Sequence, residues 1–308
     1  MSPMSVLVVR HLTRYRYATP VRFGEHRMLL HPQEGQDQRV IQARLTITPE
    51  PCELSFTTDA FGNLHGVARF DASGSELCFE SEALVEQLPA PAPAGRIRRL
   101  SRAAHPHTYS RGDAAELALA LRRRHADPDG RIEAWATDFL PLTGGVSALD
   151  ALIAMNAAIR REVRYARRLE RGLQSPAETL HRGAGACRDQ AVLMIEAARA
   201  LGLAARFASG YVHCPPVPGH AGRRGGGHTH AWARIHVPGH GWMDFDPTNG
   251  AVGAEGLVRV AVVDDPAEAI PLHGAYFGSS ADALGMDVEV DVRMAEPEAL
   301  ERVALVAA

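Results

Sequence analysis

A chain of 308 residues exceeds what one hydrophobic core usually organises, so about two domains are expected. The hydrophobic share of 46% is typical of a globular protein, and a net charge of -3 excludes a general attraction to nucleic acid or anionic membranes. No segment reaches the roughly 18 apolar residues of a spanning helix, and the amino terminus lacks a signal-peptide pattern. We therefore expect a soluble, cytoplasmic protein without nucleic-acid or membrane partners, and leave its oligomeric state open.

The first ninety or so residues contain short runs of β-branched and aromatic residues separated by turn signals. This pattern predicts an amino-terminal β-sandwich-like domain over residues 1–90. The predicted strands are Val6–Tyr17, Val40–Thr48, Glu53–Thr58, Gly66–Phe70 and Glu76–Val85.

The alternating proline and alanine residues of Pro89–Gly95 cannot continue a sheet and favour an extended linker. The pattern then becomes helical. We expect a linker and helical segment over 91–147, a catalytic core with the closing strands over 148–295, and a tail over 296–308. Helices are predicted over Ala114–His125 and Ala148–Val163.

A capping box at Ser175–Glu178 begins a short helix that should run to about His181, before the following glycines end it. A second helix is predicted over Cys187–Leu201, and its nearly continuous apolar character indicates burial in the centre of the core. Strands should follow at Leu203–Val212, Thr229–Val237, Gly241–Phe245, Leu257–Val263 and Met286–Val292. The Pro-Gly-rich stretch Pro215–Gly227 is long enough to form a mobile loop.

Cys187 is the candidate nucleophile. An ordinary thiol is only slightly ionised at neutral pH, but the first turn of a helix offers unpaired N–H groups and a dipole that favour the thiolate. Asp189 suits the same positive helix end. The backbone N–H of Cys187 could stabilise an oxyanion. Since a cysteine in an apolar helix is more often inert, this assignment depends on its partners.

His230 is the candidate base. It lies on a predicted strand, where alternation places His228 and Trp232 on its face. This face is too polar for a plain core. An imidazole within reach of a thiol can form the thiolate and imidazolium pair that attacks amide carbonyls.

Asp246, on the next predicted strand, is the candidate that orients the histidine. A hairpin symmetric about Gly239 and His240 would place Asp246 opposite Ala233, on the wrong face for contact with His230. The triad therefore predicts an odd-numbered loop or a one-residue bulge in this hairpin. Asp244, on the same face, is an alternative.

Four motifs in order resemble the bacterial transglutaminase-like superfamily. They are Gly183–Asp189, Leu203–Tyr211, His230–Trp232 and Gly241–Gly250. The resemblance implies an α+β fold: an amino-terminal β-domain followed by a papain-like core, with a central helix on an antiparallel sheet. It implies Cys187, His230 and Asp246 as catalytic residues and no metal or organic cofactor.

Ala186 and Gln190 depart from this pattern, because the family more often has bulkier apolar residues there. Tryptophan as an oxyanion donor, used by animal transglutaminases, has no counterpart just before the cysteine. The substrate cleft is expected to be formed from Gly185, Asp189, Tyr211, His228, Trp232 and Trp242.

The expected substrate is a peptide or protein amide, including glutaminyl and isopeptide bonds. Hydrolysis of the thioester is preferred because it needs no second substrate site, and transfer to an amine is the alternative. A non-catalytic binding module on the same fold is a third possibility. A zinc site from His213, Cys214, His228 and His230 is disfavoured, because no known ligand spacing supports it.

Overall fold

The computed structural model describes residues 5–89, 98–168, 172–215 and 224–296. The strands are β1 (Ser5–Met28), β2 (Gln38–Thr48), β3 (Glu53–Thr58), β4 (Leu64–Arg69), β5 (Ser73–Gln87), β6 (Arg99–Leu100), β7 (Val146–Ser147), β8 (Arg164–Tyr165), β9 (Ala184–Gly185), β10 (Ala205–Val212), β11 (His230–Val237), β12 (Gly241–Asp246), β13 (Ala251–Val252), β14 (Leu257–Val263), β15 (Leu272–Phe277) and β16 (Ala283–Met294). The helices are α1 (Arg111–Glu116), α2 (Ala118–Leu121), α3 (Arg131–Thr137), α4 (Ala148–Glu162), α5 (Pro176–Arg182) and α6 (Cys187–Ala200).

The amino-terminal region is one curled antiparallel sheet built around the 24-residue strand β1. The order along the sheet is β2-β5-β1-β4-β3, because β1 pairs with β5 along most of its length and with β4 near its end. Alternate residues such as Leu7 and Val9 are buried, as period-two burial requires. The mixed fold class is confirmed, with a single curled sheet where two sandwich layers were expected.

The closing strands belong to this amino-terminal sheet. β15 and β16 both pair with β1, for example through Phe23 opposite Tyr276 and Arg10 opposite Asp291. The sequence assigned these strands to the catalytic core, because alternation identifies a strand without identifying its partner. The linker expected up to Gly95 lies mostly outside the described residues, as does most of the predicted tail.

The core is a five-stranded antiparallel sheet in the order β13-β12-β11-β10-β14, packed against α6. Apolar side chains of α6, among them Leu193 and Ile195, bury it against β10, β11 and the helices α3, α4 and α5. The helix predicted over Ala114–His125 is shorter and divided at Leu117, where ψ is 1°. In the described residues, none of the helices is long and apolar enough to span a membrane.

A buried ion cluster joins the two regions. Asp37, from the loop between β1 and β2, forms ion pairs with Arg234 on β11 and Arg259 on β14. Burial disfavours the Asp37 carboxylate, but the hydrogen bonds and charges of the two arginines outweigh it and lower the pKa of Asp37 to about 2. Arg234 and Arg259 also contact Asp244. The amino-terminal sheet is thus fixed against the strands that carry the site.

Candidate active site

Cys187 is the first residue of α6 and is half-buried. The carboxylate of Asp189 holds the entry to this helix. Its oxygens accept the backbone N–H groups of Ala186 and Gln174, each at 2.9 Å, and form an ion pair with Arg168 at 2.8 Å. Asp189, expected in the cleft, is completely buried and serves to position the backbone before Cys187.

Gly185 has a similar supporting role. A Cβ at this position would lie 3.0 Å from Cβ of Asp189 and 3.3 Å from Nε2 of Gln174, so a larger residue would displace the contacts that order the helix start. Gly185 also pairs with Tyr165 in the short parallel ladder of β8 and β9. This ladder brings Tyr165 into the neighbourhood of Cys187.

The hairpin of β11 and β12 has an odd-numbered loop. Val237 pairs with Gly241, which leaves three residues in the loop, and Ala233 pairs with Phe245. Asp246, the next residue of β12, therefore lies on the face that carries His230. Nε2 of His230 is 2.9 Å from Oδ2 of Asp246. The predicted irregularity of this hairpin is present, and it is what permits the contact.

His230 and Asp246 form a buried charged pair. Burial opposes the imidazolium, but the Asp246 carboxylate and the Cys187 thiol raise the pKa of His230 above its ordinary 6.5, to about 10. Burial likewise opposes the carboxylate, and His230 and Asn249 reverse this effect and lower the pKa of Asp246. Nδ1 of His230 is buried without a hydrogen-bond partner among the described residues, so it is the ring nitrogen left for Cys187.

Asn249 is a site residue that the sequence did not single out. Its Nδ2 donates to Oδ2 of Asp246 at 2.7 Å, and its backbone N–H donates to Oδ1 at 3.3 Å. The Asn249 side chain also holds the backbone of Arg224, accepting its N–H at 2.7 Å and donating to its carbonyl at 3.1 Å. The sequence offered one indication of this role, because Asn249 lies three residues after Asp246 in a turn.

A glycine segment covers the imidazole. A Cβ at Gly225, where φ is +101°, would lie 2.6 Å from Nδ1 of His230. Two residues later, the carbonyl of Gly227 accepts the N–H of Val290 on β16 at 3.2 Å. The segment is thus held by Asn249 on one side and by β16 on the other. Most of the loop predicted over Pro215–Gly227 lies outside the described residues.

Two protein-family models match this chain. The family described as Bacterial transglutaminase-like N-terminal region matches residues 7–86, and the Transglutaminase-like superfamily matches residues 141–247. The second match contains Cys187, His230 and Asp246. The chain belongs to the transglutaminase-like superfamily.

Relatives of this transglutaminase-like protein match it over nearly the whole chain. An uncharacterized protein of Mycobacterium tuberculosis is 31% identical, over 95% of this chain and 94% of its own. An uncharacterized protein of Mycobacterium leprae is 28% identical, over 92% of this chain and 97% of its own. A crystal structure from Cytophaga hutchinsonii, of a protein proposed to be a cysteine protease, shares the fold with a TM-score of 0.67 and 20% identity, over 96% of this chain and 92% of that one. Family membership supports a cysteine-dependent enzyme.

Two expected cleft residues of the transglutaminase-like core lie elsewhere. Tyr211 is buried against the amino-terminal sheet, where its hydroxyl contacts Nδ1 of His11 at 2.9 Å. Trp242 packs at the other end of the hairpin, with the Arg206 guanidinium 4.4 Å from its ring. Because both faces of the sheet are covered, one by α6 and one by the amino-terminal sheet, alternation alone could not assign these side chains.

The remaining two candidates lie beside His230. Trp232 is completely buried, stacks on the His230 ring with centroids 6.1 Å apart, and donates its Nε1–H to Asp244 at 3.0 Å. Trp232 therefore supports the His230 ring and leaves no surface exposed to a cleft. His228 is half-buried, and burial together with the charge of Arg167 lowers its pKa. Within the described ranges, no group of three or more His, Cys, Asp or Glu side chains is arranged to hold a metal.

Proposed function

We propose that this protein is a cysteine-dependent acyl-transfer enzyme. Cys187 attacks an amide bond to form a thioester, His230 transfers the protons and Asp246 holds the histidine. The observation that carries the proposal is the buried 2.9 Å contact between His230 and Asp246, which leaves Nδ1 of His230 for the thiol at the start of α6. This is the arrangement that activates a cysteine as a nucleophile.

The raised pKa of His230 favours a thiolate and imidazolium pair before substrate arrives. Sγ of Cys187 adds to the amide carbonyl, and Nδ1 of His230 gives its proton to the leaving nitrogen as the C–N bond breaks. The neutral imidazole then takes a proton from the acceptor, which attacks the thioester and releases Cys187. Asp246 holds the ring and stabilises its charged form in each half of the cycle.

The oxyanion of each tetrahedral intermediate needs two donors. The backbone N–H of Cys187 is one, because the first turn of a helix leaves its N–H groups without helical partners. We assign the second to the phenol of Tyr165, which lies in the same cleft. Burial raises the pKa of Tyr165, and interaction with Cys187 raises it further, which keeps the hydroxyl protonated as a donor.

Water is the proposed acyl acceptor, so the products are those of a protease, isopeptidase or amidase. Hydrolysis requires one substrate cleft only, and the structural neighbour proposed to be a cysteine protease has the same fold. Transfer to a lysine amine, giving a cross-link, proceeds through the same thioester and is the alternative activity.

Selective alkylation tests the nucleophile. We expect iodoacetamide at mildly acidic pH to label Cys187 faster than the exposed Cys52, and His230→Ala to remove this difference. Cys187→Ser should abolish turnover of peptide amides and isopeptides while leaving the melting temperature within a few degrees. Labelling of Cys187 no faster than that of Cys52 would contradict the proposal.

A second experiment identifies the acceptor. The protein is incubated with a glutamine-containing peptide and a labelled primary amine, and the products are separated by mass. Hydrolysis predicts the deamidated or cleaved peptide, absent with Cys187→Ser. Incorporation of the amine that depends on Cys187 would instead establish the transglutaminase activity.

A further inference from the structure

Arg167 directly follows β8 and Ala166, on the segment that pairs in parallel with the residues leading to Cys187. Tyr165 pairs with Gly185, and the N–H of Ala166 donates to the Gly185 carbonyl at 2.9 Å. The two segments therefore stay side by side, and Arg167 comes two residues after the last pair, as Cys187 does. Arg167 is exposed and has no carboxylate partner among the described residues.

Arg224 approaches the same cleft from the side of the base. Its backbone is held by two hydrogen bonds to the Asn249 side chain, and the next residue, Gly225, covers Nδ1 of His230. Arg224 is exposed, and no carboxylate within the described part of the chain pairs with its guanidinium. The backbone that carries this second unneutralised cation is thus fixed beside the catalytic pair.

The two arginines act on groups in one cleft. Burial is the main cause of the raised pKa of Tyr165, Cys187 adds to it, and Arg167, Arg188 and Arg224 oppose it. The charge of Arg167 also lowers the pKa of His228, after the larger effect of burial. The Tyr165 phenol is therefore within electrostatic range of the Cys187 thiol and of both guanidinium groups.

Within the described residues, the carboxylates around the nucleophile do not neutralise these cations. Asp189 is paired with Arg168, and Asp246 with His230. The chain as a whole has a net charge of -3, so two unpaired cations here are a local feature. They would attract an anionic group of the substrate to the position where the thioester forms.

We propose that Arg167 and Arg224 form a carboxylate-binding site beside Cys187, and that the preferred acyl donors are peptides with acidic side chains next to the amide that is attacked. This inference rests on the proposed function. Both guanidinium groups can bind a carboxylate through paired N–H donors. At solvent-exposed positions, each contact should favour an anionic over a neutral donor by about fivefold.

The test compares alkylation of Cys187 by anionic iodoacetate and neutral iodoacetamide, which needs no turnover. The ratio of the two rates is measured for the wild type, for Arg167→Gln/Arg224→Gln, and for the charge-preserving Arg167→Lys/Arg224→Lys. Arg44→Gln, at an exposed arginine of the amino-terminal sheet, is the matched control. We expect the ratio of the iodoacetate rate to the iodoacetamide rate to fall about fivefold or more in the glutamine variant alone. The difference in this ratio between the wild type and the glutamine variant should shrink in about 1 M salt.

The same variants are then assayed on peptide pairs that differ by Glu or Gln beside the target amide. The wild type should prefer the Glu peptide in kcat/KM, and the glutamine variant should lose that preference. Turnover that depends on Cys187 but shows no preference overturns the carboxylate site and leaves the proposed function standing. An unchanged alkylation ratio in the glutamine variant also overturns the carboxylate site. Absence of selective labelling of Cys187 by either reagent overturns both.

Discussion

Gln190 accepts a 2.7 Å hydrogen bond from Oγ1 of Thr248. Gln190 lies one turn after Cys187 on α6, and Thr248 lies two residues after Asp246, so this bond joins the helix of the nucleophile to the turn of the carboxylate. Nε2 of Gln190 donates to the carbonyl of Val163 at 2.8 Å, which fixes its orientation. The chain has a polar bridge where the family pattern led us to expect a bulky apolar residue.

Loss of this bridge should reduce the catalytic rate. Thr248→Val removes the hydroxyl and leaves Oε1 of Gln190 buried without its donor, which should cost about 1–3 kcal/mol in the free energy of unfolding. We expect kcat to fall about tenfold with little change in KM, because Asp246 moves relative to Cys187. Thr248→Ser keeps the hydroxyl and is the control. Steady-state kinetics and urea unfolding measure both effects, and equal kcat values in the two variants would contradict the bridge.

Removal of the Tyr165 hydroxyl should separate turnover from thiol reactivity. Tyr165→Phe is expected to lower kcat by about 100-fold, because the oxyanion loses a donor. Alkylation of Cys187 by iodoacetamide develops no oxyanion, so its rate should change by less than about twofold. A variant with normal kcat would remove Tyr165 from the mechanism, and a parallel loss of alkylation would assign it to the thiol instead.

Alanine substitutions at Gly225 and Gly227 test whether the glycine segment must lie close to the His230 ring. Both have positive φ, but a Cβ at Gly225 would collide with Nδ1 of His230, whereas at Gly227 it would meet nothing within 4 Å. Each alanine variant carries similar backbone strain, of about 1 kcal/mol. Gly225→Ala should therefore lower kcat/KM at least about tenfold more than Gly227→Ala. Equal losses would mean that backbone strain alone is responsible.

The stability of the wild type relative to Asp246→Asn should depend on pH. The folded-state pKa of His230 is raised from 6.5 to about 10, so its stabilisation is complete below 6.5 and is lost as the pH rises through about 10. The pKa of Asp246 is lowered, so its contribution is lost as acid protonates the carboxylate. Urea unfolding across the pH range measures the difference. A difference that stays constant from pH 6.5 to 10 would show that the pair is not charged.

The buried ion cluster should dominate the coupling of the two regions. Asp37→Asn leaves Arg259 buried with its strongest partner neutralised, and should cost about 3 kcal/mol in the free energy of unfolding. Glu53→Gln, which breaks the exposed pair with Arg69, should destabilise the protein much less, because solvent screens this pair. Denaturant unfolding compares the two, and similar costs would show that the cluster contributes no more than a surface pair.

Local chemistry made much of the fold predictable. The capping box at Ser175 and the glycine after α5 define that helix, and Ser175 Oγ accepts the N–H of Glu178 as expected. The apolar run after Cys187 correctly indicated a central helix. The partners of β15 and β16 were not predictable, because pairing over more than 240 residues depends on the tertiary fold rather than on local pattern.

The site was predictable in its residue types and less so in its connections. The triad itself demanded an odd loop between β11 and β12, and the structure has one. Asn249 and Arg224 were missed because their roles arise where two segments that are distant in sequence meet. Tyr211 was assigned to the cleft because a strand buried on both faces gives no alternation, and it belongs to the contact between the regions.

The pairing of β16 with β1 sets an order of assembly. β16 follows β1 by more than 250 residues, so the edge of β1 that pairs with β16 lacks this neighbour until β16 has emerged from the ribosome. An unpaired strand edge is an aggregation hazard. The nascent amino-terminal sheet therefore remains incomplete while the core folds. Pairing of β16 with β1 also brings Val290 to Gly227, so the covering segment is fastened only once β16 is in place.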